Sequence, residues 1–108
     1  MEKDIIGVTE LIRINGHEVL AKIDTGAIKN SINVKLASKL KLGPIVKTIK
    51  IISATGEEKR PVVEASLEIK GKRIKTKFNV TDRSKLKYSV LIGLNTIKNR
   101  FLIDPSKK

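Results

Sequence analysis

The sequence predicts a mainly β fold with one or two short helices, in a single domain over residues 1–108. Apolar residues make up 40% of the chain and are mostly Ile, Leu or Val, with two Phe, one Tyr and no Trp. The β-branched Ile and Val among them favour sheets. Short apolar runs are separated by Gly-containing turns, as in antiparallel β proteins. No linker, repeat or low-complexity segment interrupts the chain, and its length suits one small domain.

The first half of the chain predicts a β-hairpin followed by a loop and a helix. We expect strands over residues 5–14 and 17–23, because the Asn15-Gly16 pair between them is the preferred two-residue turn of a hairpin. A brief strand is expected over residues 31–33. Residues 34–42 have helical spacing and are followed by Gly-Pro, which ends a helix.

The second half predicts a long hairpin and the strands that complete the sheet. Strands over residues 45–52 and 61–70 are joined by the polar, flexible tip of residues 53–58, and such a hairpin is able to close over a cleft. Gly71-Lys72 predicts a tight turn into a strand over residues 73–80. After a polar loop over 81–87, strands at 88–92 and 101–103 flank a short helix at 94–99.

The net charge of +12 is the second strong signal in the composition. A solvated surface of evenly spread lysines explains it, and attraction for a polyanion is the alternative. Arg73, Lys75 and Lys77 alternate with less polar residues, so a strand there turns three cations to one face. That face is then either the solvent-exposed face of the sheet or a binding surface for an acidic partner.

Composition also bounds the location and the chemistry of the protein. No apolar run approaches the roughly 18 residues of a membrane span, and no secretory signal is seen. Cys is absent, so we expect a cytoplasmic protein. The absence of Gln and the abundance of Ile, Lys and Glu are typical of a thermophile. With one His, His17, which we expect to be exposed and inert, we expect no zinc site and no cofactor.

The tetrapeptide Asp24-Thr25-Gly26-Ala27 is the most informative motif. It follows the apolar run of residues 19–23, so it places a carboxylate at the mouth of a buried strand. A second element lies later, where the apolar residues 90–92 end in Gly93. Two facing carboxylates are needed to activate a water in aspartic catalysis. Because the chain has one such motif, the second carboxylate must come from a second copy. An ordinary turn, in which Asp24 bonds its own backbone, is the alternative.

The order and spacing of these elements resemble the retropepsins over nearly the whole chain. The second half is similar to the retropepsin-like family commonly labelled an ATP-dependent zinc protease, whose members are associated with ATP-grasp ligases that add glutamate. The segments that carry this resemblance are Arg60-Pro61-Val62-Val63, residues 67–72, Leu91-Ile92-Gly93 and Arg100-Phe101-Leu102-Ile103-Asp104-Pro105. The chain has no glycine-rich phosphate loop, so any ATP dependence would lie in a partner.

The resemblance implies a closed or partly open β-barrel, one lobe per chain, in a homodimer with its active site on the two-fold axis. It implies that Asp24 is the catalytic residue of an aspartic endopeptidase and that Thr25 ties the two active-site loops together. Gly26 would supply an amide to the carboxylate, and Ala27 would keep the floor of the site small. The resemblance also implies that the flap tip consists of Ala54, Thr55 and Gly56. It implies that the support behind the active-site loop comes from Ile92 and Gly93.

Two departures from the family pattern concern the dimer and the flap. Leu94 stands where relatives typically carry Arg, so the dimer contact is expected to be weaker or built differently. The flap has fewer glycines than in the viral enzymes, and it carries Glu57 and Glu58. Closure over an acidic substrate would then need Lys59 and Arg60 to compensate.

Two functions follow from these observations. The first is a homodimeric aspartic endopeptidase that acts on acidic, glutamate-rich chains, which the positive charge would attract. The alternative is a non-catalytic basic β-barrel that binds nucleic acid or another polyanion. Its weakness is the scarcity of aromatic residues, because only Phe78, Tyr88 and Phe101 are available for base stacking.

Overall fold

The structure is a computed structural model and describes residues 3–107. Strands dominate it, as the sequence predicts, and the two helices are short. In chain order the elements are β1 (Asp4–Ile6), β2 (Thr9–Ile14), β3 (His17–Ile23), β4 (Asn30–Asn33), α1 (Val34–Lys39), β5 (Ile45–Ser53), β6 (Gly56–Ile69), β7 (Lys72–Thr81), β8 (Val90–Ile92), α2 (Leu94–Ile97) and β9 (Phe101–Ile103). Within this described part, no helix is long and apolar enough to cross a membrane.

Six strands close into a barrel in the order β2, β3, β8, β4, β7 and β6. Closure comes from the antiparallel pairing of β2 with β6, in which Ile14 lies opposite Leu67. β5 pairs with β6 along its whole length and forms the long hairpin. β1 and β9 make a separate two-stranded parallel sheet. The predicted β-barrel with two short helices is therefore confirmed.

The core lies inside the barrel and is built from alternate residues of the strands. Phe78 is its largest fully buried side chain, and Ile12, Ile14, Leu67 and Ile92 are likewise buried. Each such side chain stabilises the fold by about 1.5 to 3 kcal/mol relative to exposure. The core therefore holds in place β3 and β8, the two strands that lead into the candidate site.

The predicted strand over residues 5–14 is wrong, because the chain breaks into β1 and β2 at Gly7 and Val8. The amide of Val8 donates to the carbonyl oxygen of Lys107 at 3.1 Å. A Cβ on Gly7 would lie 2.6 Å from that same oxygen. The C-terminal segment therefore occupies the space beside Gly7 and interrupts the strand.

The predicted polar tip at 53–58 is wrong in extent. β5 and β6 stay paired down to Ser53 and Gly56, so β6 starts at 56 instead of 61 and only Ala54 and Thr55 form the turn. The following turn is Lys70-Gly71, not Gly71-Lys72, because both of its residues have positive φ (50° and 75°). The Asn15-Gly16 turn is confirmed, with φ values of 48° and 85°.

Four further boundaries differ from those predicted. α1 ends at Lys39 instead of residue 42, because Lys41 has a φ of 56°, which is not helical. α2 ends at Ile97 instead of 99, and Asn99 has a φ of 67°. β8 starts at Val90 instead of residue 88. The predicted strand over 31–33 starts one residue earlier, at Asn30.

Candidate active site

The Asp24 loop begins directly where β3 leaves the core. The amide of Asp24 donates to the carbonyl oxygen of Ile92 at 2.9 Å, which extends the pairing of β3 with β8 by one residue. The amide of Ala27 donates to the Asp24 carbonyl oxygen at 3.2 Å and closes a tight turn. The Asp24 side chain is partly exposed, and Thr25 and Gly26 are exposed. The loop thus presents its carboxylate at the surface on a rigid base.

The Asp24 carboxylate has one hydrogen-bond donor within its own loop. The amide of Gly26 donates to Asp24 Oδ1 at 2.9 Å. This is the amide that the resemblance assigns to the carboxylate, and it is also the bond of an ordinary Asp turn. The local hydrogen bond is therefore common to both interpretations, and the support behind the loop has to distinguish them.

That support comes from the segment around Gly93, which passes directly behind the loop. The amide of Leu94 donates to the Ala27 carbonyl oxygen at 2.8 Å. A Cβ at Gly93 would lie 2.5 Å from the carbonyl oxygen of Lys29 and 2.9 Å from that of Ala27. Only glycine permits this approach, although its own φ of −99° suits any residue. An isolated surface turn does not need such a close backbone support.

Asn30 completes the support and is a residue that the sequence analysis missed. Its side chain is only 1% exposed. Its Oδ1 accepts from the amide of Gly93 at 2.9 Å, and its Nδ2 donates to Thr96 Oγ1 at 2.8 Å and to the Lys77 carbonyl oxygen at 3.1 Å. One amide side chain therefore joins the loop to β8, α2 and β7. The available signal was an amide residue directly before the strand predicted over residues 31–33.

A polar network lies on the same side of the sheet as Asp24. Ser31 Oγ donates to Asn79 Oδ1 at 2.9 Å, and Arg60 Nη1 donates to the same oxygen at 3.0 Å. Arg60 also pairs with Glu58 at 3.0 Å. Within residues 3–107, Arg60 Nε is buried and has no hydrogen-bond partner. The network therefore leaves one buried guanidinium donor unsatisfied.

Arg83 adds a second guanidinium near the candidate site. Its Nε donates to the Tyr88 carbonyl oxygen at 2.9 Å, and its amide donates to Asn33 Oδ1 at 3.0 Å. Burial lowers the pKa of Arg83 and the charge of Arg60 lowers it further, while the Asp24 charge acts in the opposite direction. Arg83 is thus held by its own loop within the electrostatic reach of both groups.

The predicted flap residues lie at the end of the β5–β6 hairpin. Ala54 and Thr55 form the turn, and Gly56 begins β6 with a φ of 130°, which favours glycine. All three are exposed. The hairpin stem is tied to β7 because Thr81 Oγ1 donates to Glu58 Oε1 at 2.9 Å. Hydrogen bonds from Arg60 and then from Thr81 lower the pKa of Glu58.

The donor set does not fit the zinc of the family label. Across residues 3–107, no three side chains of His, Cys, Asp or Glu come together as metal ligands. His17 is exposed in the β2–β3 hairpin, away from the Asp24 loop. A catalytic zinc usually takes three protein ligands, so no step of the chemistry is assigned to a metal.

Comparison with protein families gives one match, which covers most of the chain. Residues 35–108 match the model of a RimB-like family, described as the retropepsin-like aspartic endopeptidase RimB. The matched segment includes Gly93 and its surroundings but begins after the Asp24 loop. A search of curated protein sequences gave no significant match.

Solved structures with the same fold include bacterial and viral proteins. A Legionella pneumophila protein of unknown function is 24% identical, with a TM-score of 0.69 over 96% of this chain and 95% of its own. The EIAV protease, solved with the inhibitor HBY-793, is 22% identical, with a TM-score of 0.71 over 84% and 85%. The Simian Foamy Virus (mac) protease is 16% identical, with a TM-score of 0.63 over 80% and 87%. Each alignment covers more of the chain than residues 35–108, so each reaches into the half that carries Asp24.

Proposed function

The chain belongs to the RimB-like family of retropepsin-like aspartic endopeptidases, and we propose that it is a homodimeric aspartic endopeptidase whose catalytic group is Asp24. The observation that carries the proposal is the support behind the Asp24 loop. The main chain at Gly93 lies so close to the carbonyl oxygens of Lys29 and Ala27 that a Cβ would not fit between them. The Asn30 side chain accepts a hydrogen bond from the Gly93 amide and so fixes this approach. A catalytic carboxylate needs such a rigid base, because catalysis depends on fixed geometry.

The proposal requires a dimer, because an aspartic protease uses two carboxylates and this chain has one Asp-Thr-Gly. Residues 1–108 would form one lobe. Within the described residues, the exposed hydroxyl of Thr25 has no hydrogen-bond partner, so it is available to bond across a two-fold axis. Ile5 and Leu102 lie opposite each other on the β1–β9 sheet and are 48% and 54% exposed. That apolar pair supports a second copy packing there.

The chemistry follows from two carboxylates brought to about 3 Å, which share one proton because both cannot ionise at that distance. The ionised carboxylate takes a proton from a bound water as the water oxygen attacks the peptide carbonyl carbon. The protonated carboxyl gives its proton to the carbonyl oxygen, and a tetrahedral diol forms. Its collapse breaks the C–N bond and delivers a proton to the leaving amine. No covalent enzyme intermediate forms.

The substrate we propose is an acidic, glutamate-rich chain. Its support is the net charge of +12, which raises the local concentration of an acidic substrate. The guanidinium group of Arg83, which lies within the electrostatic reach of Asp24, acts in the same direction. A functional association with an ATP-grasp glutamate ligase is part of the proposal, since that enzyme class makes such chains. A cytoplasmic location and a thermophilic source stay predictions from composition.

The test is cleavage of a diverse peptide library, with glutamate-rich and neutral members, followed by mass spectrometry from acid to neutral pH. We expect the parent protein to cleave and the Asp24→Asn variant not to. The matched control is Asp104→Asn, because Asp104 is partly exposed, as Asp24 is, and also accepts from the amide two residues later, at 2.9 Å. Cleavage that survives in Asp24→Asn would refute the assignment of Asp24.

The second candidate function is binding of nucleic acid or another polyanion without catalysis. The observation that favours it is the face of β7, where Arg73, Lys75 and Lys77 are all exposed. If a protein shown to be dimeric cleaves no peptide, but binds duplex DNA with an affinity that falls steeply with salt, this function replaces the first.

A further inference from the structure

A cleft of about 330 Å³ lies beside the Asp24 loop, between that loop and strands β5 to β7. Lys29 of the loop and Asn30 form one wall, and α2 contributes Asn95. Among residues 3–107, five cationic side chains and one carboxylate line the cleft; they are Lys29, Lys47, Lys75, Lys77 and Arg100, with Glu64. A cavity with this lining attracts anions.

Strand register places part of this cleft on the same face of the sheet as Asp24. Directly paired residues share a face, and so do alternate residues along one strand. Asp24 lies two residues after Lys22, directly beyond the end of β3, and so shares the face of Lys22. The row of paired residues that starts there runs across the sheet through Lys22, Leu91, Ser31, Asn79, Val62 and Lys47. A peptide that leaves Asp24 along this row therefore reaches the cleft.

The span of that row fits a short extended peptide. From β3 to β7 there are three strand spacings of about 4.8 Å, which is roughly 14 Å measured around the sheet. An extended peptide covers that length with about four residues at about 3.4 Å each. A side chain about four residues from the scissile bond therefore lies beside Lys77, the cleft residue that β7 carries two positions before Asn79.

Most of the positive charge in the cleft is not neutralised by the protein. Glu64 pairs with Lys75 at 3.5 Å. Arg100 uses its Nη1 on the carbonyl oxygens of Asn95 and Thr96, at 3.3 and 3.2 Å. Across residues 3–107, Lys29, Lys47 and Lys77 form no salt bridge. Three ammonium groups around one cavity thus lack a carboxylate partner.

We propose that this lysine cleft is a distal substrate subsite, in which Lys47 and Lys77, assisted by Lys29, bind a carboxylate side chain about four residues from the scissile bond. The inference rests on the proposed function, because it names a specificity-determining part of the same site. Recognition of a glutamate run is then local. It depends on these lysines and not on the overall charge of the protein.

A binding experiment tests this without requiring catalysis. The variants are Lys47→Gln/Lys77→Gln and the control Lys35→Gln/Lys39→Gln, both in an Asp24→Asn background. Lys35 and Lys39 are exposed on α1, which follows the opposite end of β4, so both variants lose the same charge. Fluorescence anisotropy measures the affinity for a labelled decapeptide that carries a glutamate run on one side, and for its glutamine counterpart.

We expect the cleft variant to bind the glutamate peptide about three- to tenfold more weakly than its Asp24→Asn parent, as the loss of two exposed ion pairs implies. The control should change by less than about twofold, and the glutamine peptide should be bound equally by all proteins. Equal losses in the cleft variant and the control would show long-range attraction only and would overturn the subsite. An unchanged affinity in the cleft variant would overturn it as well.

A cleavage experiment separates failure of the subsite from failure of the proposed function. With Asp24 intact, the cleft variant should lose its preference in kcat/KM for the glutamate over the glutamine peptide, whereas Lys35→Gln/Lys39→Gln should keep both the preference and the rate. If the parent cleaves neither peptide, the endopeptidase proposal fails while the binding result stands. If the parent cleaves both and the cleft variant keeps the preference, the subsite alone fails.

Discussion

Replacing Gly93 by alanine tests the contact on which the candidate site rests. The new methyl group would lie 2.5 Å from the carbonyl oxygen of Lys29, about 0.9 Å inside an ordinary contact distance of roughly 3.4 Å. The methyl group is attached to the main chain just before α2, and the atoms that it meets belong to the main chain of the Asp24 loop. Either that loop or the start of α2 therefore has to move. Overpacking of this kind costs about 1 to 3 kcal/mol. For a domain of this size, that lowers Tm by roughly 4 to 15 °C.

Thermal unfolding of Gly93→Ala measures the cost, and peptide cleavage measures the displacement of Asp24. We expect a larger loss of kcat than of substrate affinity, since the methyl group acts behind the carboxylate. Gly7→Ala is the control. Its methyl group would meet the backbone of Lys107 at 2.6 Å, which is not part of the support behind the Asp24 loop, so we expect a loss of stability with a smaller loss of kcat. A Gly93→Ala protein that is as stable and as active as the parent would refute the reasoning.

Three other substitutions test separate parts of the structure. Asn30→Ala leaves the Gly93 amide without its acceptor and should cost about 1 to 3 kcal/mol in chemical denaturation. A loss no larger than that of exposed Asn95→Ala would contradict this. The pKa of Glu58 is lowered by Arg60. The stability that this carboxylate contributes to the fold is therefore fully present above its unfolded pKa of 4.5, and it is lost as pH falls through the folded pKa. The hydrogen-exchange protection factors of the hairpin should therefore fall in acid in the parent, and Glu58→Gln should remove that fall. Leu102→Lys should weaken the proposed dimer at least tenfold in analytical ultracentrifugation, whereas Leu11→Lys, also on an exposed leucine, should not.

Predictions from the sequence succeeded where local chemistry decides the conformation. The Asn15-Gly16 turn set the first hairpin, because those residues tolerate the positive φ values that a tight turn needs. The alternation in β7 was confirmed, since Arg73, Lys75 and Lys77 are exposed while Ile74 and Phe78 are buried. Period-two alternation is a property of the strand itself. It therefore does not depend on knowing the neighbours of the strand.

Predictions failed where a distant segment decides the outcome. The break at Gly7 depends on Lys107, a hundred positions away in the chain. The extent of β6 depends on its pairing with β5, which continues through charged residues with no apolar pattern. The role of Asn30 depends on Gly93 and Thr96. No local periodicity encodes these contacts, because each one joins parts of the chain that only the closed barrel brings together.

The sequence by itself determined the β class, the two short helices, the family resemblance and the residues proposed to carry the chemistry. Those features depend on residue type and spacing, which the chain displays directly. The tertiary structure alone decided how the Asp24 loop is supported, which arginines lie near it and where the lysines collect. Lys29, Lys47 and Lys77 are far apart in the sequence and line one cleft only because β5, β7 and the Asp24 loop meet there. The physical reason is that charges act through space, so their joint effect depends on the fold and not on their order in the chain.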